Sequence, residues 1–161
     1  MDRVLKSLIY GGLIAGTVDL GAATLINMVS PLVILQAVAS GLLGRPAFQG
    51  GAGVMLLGLV LQWVMSILIA GFFSFAASRW PVLARRWVAW GTLYGVVVFI
   101  VMNYVVVPLS AASFKWTHPL SWFVENGLAM LVFGWIVAFT ADRFLTSARV
   151  PDQAAPDLRA R

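Results

Sequence analysis

Apolar residues dominate four long stretches of this chain: Ser7 to Met28, Ala52 to Ser78, Val88 to Pro108 and Pro119 to Ala141. A helix needs roughly 20 residues to cross the hydrocarbon core of a bilayer, and each stretch is long enough. Inside lipid no water satisfies the backbone, so each is predicted to be a helix. Strand-like alternation is absent. The pattern therefore predicts an all-α, polytopic membrane four-helix bundle over residues 1–145. The tail, 146–161, is rich in Ala, Pro, Arg and Asp without apolar periodicity and is expected to be a disordered cytoplasmic segment.

The connection between the first two spans is more than a loop. In "SPLVILQAVASGLLG", Ser30 is a candidate N-cap, Pro31 suits the first helical position and Gly44 marks the end. Leu32, Leu35, Val38 and Leu42 share a helical face. A short helix over 31–43 is expected, interfacial or re-entrant. Pro46, Gly50, Gly51 and Gly53 then turn the chain into the second span. Pro108 is expected to end or kink the third span. Asp142 and Arg143 should close the fourth.

Basic residues fix an orientation. Arg3, Lys6, Arg79, Arg85, Arg86, Arg143, Arg149, Arg159 and Arg161 fall on one side of the predicted membrane, and only Arg45 and Lys115 on the other. The positive-inside rule places both termini in the cytoplasm of a bacterial inner membrane. The first 23 residues also have a signal-peptide-like order: basic start, apolar run, small residues. The apolar run continues through Leu25, Ile26, Met28 and Val29, which favours an uncleaved span. Trp80, Trp87, Trp90, Trp116 and Trp122 fall near predicted boundaries and are expected as interfacial anchors.

Composition agrees with the pattern and narrows the chemistry. The 161 residues are 61% hydrophobic and only 11% charged. The net charge of +5 is explained by the segment ends, so nucleic acid is not an expected partner. The lipid bilayer is the expected partner, with a homo-oligomer possible and any small-molecule ligand unknown. There is no cysteine, which excludes disulfides and thiol chemistry. A single histidine, His118, cannot give one chain a paired-histidine haem site or a His-rich metal site. No cofactor and no metal are expected.

The polar exceptions inside the spans are the candidate site. Gly12, Gly16, Asp19 and Ala23 lie within an arc of about 60° on the first helix. Asp19 thus sits on a small-residue stripe and should face protein. Gly12 and Gly16 form a GxxxG pair, and Gly91 and Gly95 repeat that spacing as a second packing surface. A charged residue at this depth costs about 2.5–3.5 kcal/mol on insertion scales. Asp19 is therefore expected to carry a proton or to accept hydrogen bonds from amides and hydroxyls.

Depth suggests its partner. At about 1.5 Å per residue, Asp19 and Gln62 both lie roughly 15 Å below the outer ends of their spans. Gln62 has Gly58, Ser66 and Ala70 on its own face, so an Asp19–Gln62 hydrogen bond is predicted. Asn103, Glu125 and Asn126 form a second polar layer nearer the outside. Gly127, Gly134, Ala138 and Ala141 share one face of the fourth span with Asn126 nearby, making Asn126 the expected inward group. Glu125 points elsewhere, toward a second subunit or the headgroups. Each polar residue has a structural reading beside the functional one: helix pairing for Asp19, Gln62 and Asn103, a solvated acid for Glu125.

Two stretches, "ASGLLGRPAFQGG" and "LYGVVVFIVMNYVVVPLS", resemble segments of an uncharacterised family of small bacterial four-helix membrane proteins. The resemblance covers Gly11 to Phe144 and implies the fold and membrane location, without an activity. Lipoprotein signal peptidases are similar in length and span number but need two catalytic aspartates, and only Asp19 lies within a span here. Small multidrug transporters are similar in carrying one acid in the first helix, but lack the long first outer connection. A binding or accessory membrane protein of unknown activity is the leading expectation. The alternative is a small proton-coupled transporter with Asp19 as titrating group.

Overall fold

A computed structural model describes residues 3–112 and 119–146. His118, Lys115, Trp116 and the tail beyond Thr146 lie outside the described residues. Helices α1 (Arg3–Asn27), α3 (Ala52–Arg79), α5 (Trp87–Leu109) and α6 (Leu120–Thr146) are each long and apolar enough to cross a membrane. The short helix α2 (Pro31–Leu43) lies between the first two spans, and α4 (Val82–Arg85) is a single turn between α3 and α5. A 3₁₀ turn, Arg45–Gln49, links α2 to α3.

The spans pack in the spatial order α3, α1, α6, α5, with α2 laid on α3. Residue pairings show the direction of the first contact. Ser7 meets Ser74, Gly12 meets Ile67 and Asp19 meets Gln62, so α1 and α3 are antiparallel. The same descending order, Gly91 to Gly134 and Gly95 to Met130, makes α5 and α6 antiparallel. The outer members of the row are bridged: the Tyr94 hydroxyl donates to the Ile69 carbonyl at 2.6 Å, and its ring lies 5.0 Å from that of Phe73.

The core is built from small residues, with the large apolar side chains outside. Ala15, Ala70, Ala138 and Ala141 are fully buried beside Phe73, Phe133 and Val137. Leu25 and Phe72 are 74% and 75% exposed, respectively. In water such exposure would drive association. In lipid it is the expected arrangement, because acyl chains solvate leucine and phenylalanine while close helix contact needs small residues.

Glycines set the closest approaches. A Cβ on Gly12 would stand 2.5 Å from the Ile67 Cα, and one on Gly91 2.9 Å from the Gly134 carbonyl oxygen. A Cβ on Gly95 or Gly134 would strike the facing backbone. Gly58 plays the same part for α2, since the Leu35 backbone occupies the space a side chain would need. Helix α2 is further tied by Gln36 Nε2 donating to the Gly50 carbonyl at 2.8 Å and Ala111 N–H to the Gly41 carbonyl at 2.9 Å.

Three helix ends show how the expected boundaries are made. The α1 helix stops at Asn27, and Met28 takes a left-handed φ of 52°. Met28 N–H then reaches the Leu25 carbonyl and Val29 N–H the Thr24 carbonyl, a Schellman closure made without glycine. Pro108 sits at a distorted helix end, as expected: α5 stops one residue later, at Leu109. A π turn, Met102–Val106, widens the helix just before the proline and accommodates its missing donor and bulky ring. The regular α-helical part of α6 ends at Ala141 with Asp142 as its C-cap, as expected, but Asp142 and Arg143 do not end the helical path. They begin another π turn, Asp142–Thr146.

Candidate functional site

Asp19 stands one turn beyond Gly16 on α1. The absence of side chains at Gly12 and Gly16 lets the α3 backbone approach at Ile67 and Ser66. That approach carries Gln62, one turn before Ser66, to the level of Asp19. Gln62 Nε2 donates to Asp19 Oδ2 at 2.9 Å, and the same nitrogen lies 3.4 Å from the Gly16 carbonyl oxygen. A neighbouring tie reinforces the pair: Trp63 Nε1 donates to Thr17 Oγ1 at 3.3 Å, while that hydroxyl donates to the Leu13 carbonyl at 2.7 Å.

The carboxyl group is partly open. Asp19 is half-buried, and Oδ1 has no hydrogen-bond partner among the described residues. No fully buried side-chain polar atom among them lacks a partner, so Oδ1 is not completely enclosed. One oxygen is thus clasped by Gln62 and the other has no protein donor among the described residues.

The second polar layer is not assembled into a site. Asn103 Nδ2 donates to the Phe99 carbonyl at 2.8 Å, and Asn126 Nδ2 to the Trp122 carbonyl at 3.0 Å, each within its own helix. Glu125 is exposed. A short amide on a helix reaches the carbonyl four residues back more readily than a neighbouring helix, and that local bond wins here. Gly127 leaves the expected interface as well: it has open space around it, whereas Gly134, Ala138 and Ala141 are buried.

Several polar ties were not anticipated. Ser7 and Ser74, both fully buried, hydrogen-bond across α1 and α3 at 2.9 Å. Trp122 Nε1 donates to Asn27 Oδ1 at 3.1 Å, joining the N-terminal end of α6 to the C-terminal end of α1. Trp135 Nε1 donates to Thr92 Oγ1 at 2.8 Å between α6 and α5. Tyr94 carried a usable signal, since a tyrosine deep within an apolar span needs an acceptor. Trp87, the first residue of α5, packs edge-on against Phe139, the ring centroids 5.5 Å apart.

Among the described residues no group of three or more His, Cys, Asp or Glu side chains gathers as a metal site. Comparisons with protein-family models, curated proteins and solved structures return no match for this chain.

Proposed function

We propose that this chain is a binding or accessory protein of the bacterial inner membrane, with both termini in the cytoplasm and the Asp19–Gln62 pair serving as a helix clasp. The resemblance to small four-helix bacterial membrane proteins is part of this reading. The observation that carries it is the Gln62 amide on the Asp19 carboxyl, inside a helix pair whose glycines leave no room for side chains. The orientation is supported by Arg3, Arg79, Arg85, Arg86 and Arg143, which cap one end of the bundle.

A second reading has its own support. The unpartnered Oδ1 of Asp19 gives a proton or cation access to the one acid within the depth of α1 and α3, as a small proton-coupled transporter would require. Reconstitution separates the two. Wild type and Asp19→Asn are placed in liposomes under a pH gradient, with proton flux followed by an entrapped dye. A clasp predicts equal, background flux for both. Flux in wild type that Asp19→Asn abolishes while the protein stays folded overturns the clasp and establishes transport.

A further inference from the structure

Helix α2 lacks what a surface helix needs. A helix lying in the membrane interface keeps a charged or strongly polar face toward the headgroups. The 13 residues of α2, Pro31–Leu43, hold no charged side chain. The polar ones, Gln36 and Ser40, turn to protein: Gln36 donates to the Gly50 carbonyl, and the buried Ser40 hydroxyl to the Ala37 carbonyl at 2.6 Å. Its large exposed side chains are Leu32, Val33, Leu42 and Leu43, with Leu42 64% exposed. A helix apolar all round belongs inside protein or lipid.

The seat of α2 sets a depth. The Leu35 backbone rests on Gly58, nearly two turns into α3 and about 9 Å along that helix from Ala52. Helix α2 is roughly 20 Å long, too short for a hydrocarbon core of about 30 Å. Its far end meets the chain just beyond α5, where Gly41 faces Ser110. There the backbone is closed as lipid demands: Gly44 N–H donates to the Ser40 carbonyl at 2.8 Å, and Ala111 N–H takes up the Gly41 carbonyl. These are carbonyls of the last turn, which at a wet helix end are left to water.

We propose that α2 lies below the headgroups, with Leu32, Val33, Leu42 and Leu43 docked against the acyl chains of one leaflet. Acyl chains are the occupant because this face continues the lipid-facing surface of the spans. Exposed Met28 and Val29 lead into it, and exposed Leu56 and Val60 stand two residues either side of Gly58. Charge returns only at exposed Arg45, in the turn after Gly44, where a long side chain reaches the headgroups. With both termini cytoplasmic that leaflet is the outer one, but the depth of α2 is the same in either orientation.

The test uses the full chain in phosphatidylcholine liposomes. No native cysteine is present, so one introduced cysteine carries one nitroxide label. Leu32→Cys and Leu42→Cys report on α2, Val64→Cys, exposed midway along α3, is the lipid reference, and Arg86→Cys the aqueous one. Power saturation measures collision with oxygen, which concentrates among acyl chains, and with a water-soluble nickel chelate. At Leu32 and Leu42 the oxygen-to-nickel ratio should be severalfold above that at Arg86 and close to that at Val64. A ratio matching Arg86 puts α2 in water and overturns the seat. Low collision with both reagents and an immobilised spectrum would mean that a second copy covers the face, which also overturns it. If either labelled variant does not fold, Val33→Cys and Leu43→Cys carry the same measurement. An inverted topology leaves all these ratios unchanged, so a wrong orientation and a wrong depth are told apart.

Discussion

Gln62 reaches Asp19 across two antiparallel spans, its amide nitrogen 2.9 Å from the carboxyl oxygen Oδ2. The contact exists because Gly12 and Gly16 bring α3 against α1 just before it. Backbone proximity and polar pairing are therefore one feature, and each can be broken separately.

Asp19→Asn keeps a polar side chain opposite Gln62 and should leave the unfolding free energy nearly unchanged. Asp19→Leu leaves the Gln62 amide only its longer contact to the Gly16 carbonyl and should cost about 1 kcal/mol, the typical net worth of a hydrogen bond. In a double-mutant cycle with Gln62→Leu, the coupling should fall near 0.6 kcal/mol and below about 1.7 kcal/mol, the range for interhelical hydrogen bonds in membranes. Reversible unfolding in mixed micelles measures all of these. A coupling of zero would show that the 2.9 Å contact contributes nothing to helix pairing.

The glycines should divide sharply by what faces them. Gly12→Ala and Gly95→Ala add a Cβ against Ile67 and Met130 backbone, which cannot retreat like a side-chain tip. Each should destabilise by about 1–3 kcal/mol, the common range for overpacking. Gly127→Ala and Gly21→Ala meet open space and should be neutral or gain up to about 1 kcal/mol from helix propensity. The same unfolding assay reads the contrast.

This division also marks how far the pattern of the chain reaches. Span positions, the α2 helix and the Asp19–Gln62 pairing all follow from periodicity and depth, because a fixed rise per residue converts sequence position into height in the membrane. Neighbour order does not follow. Nothing in the sequence of Tyr94 or Ile69 says that α5 and α3 are bridged, since that depends on how two other helices sit between them. Asn103 and Asn126 stand at the right depth for a shared layer, yet each bonds its own helix, a choice made by rotamer and local geometry. The π turn before Pro108 was equally hidden: proline signals a conflict in the helix without specifying how it resolves.

Ser7 and Ser74 offer a test of polar pairing in the core. Both are fully buried and hydrogen-bond to each other. Ser7→Ala or Ser74→Ala alone leaves one hydroxyl dependent on its own helix carbonyls and should cost about 1 kcal/mol. The double variant, which removes both polar groups, should recover most of that loss. Unfolding of the three variants in one detergent decides it, and strictly additive losses would rule out a specific pair.

The absence of cysteine makes orientation directly accessible. Gln49 and Arg86 are exposed at opposite ends of the bundle, the first in the turn after α2 and the second between α4 and α5. With both termini cytoplasmic, Gln49→Cys should react with a membrane-impermeant maleimide in spheroplasts, and Arg86→Cys only after permeabilisation. The α3 span, Ala52–Arg79, connects the two sites in one pass, so they must label oppositely if α3 crosses the membrane. Reversed labelling would keep the fold but invert the topology, placing α2 at the inner face. Equal labelling of both from outside would mean that α3 does not span, and the four-pass arrangement itself would fail.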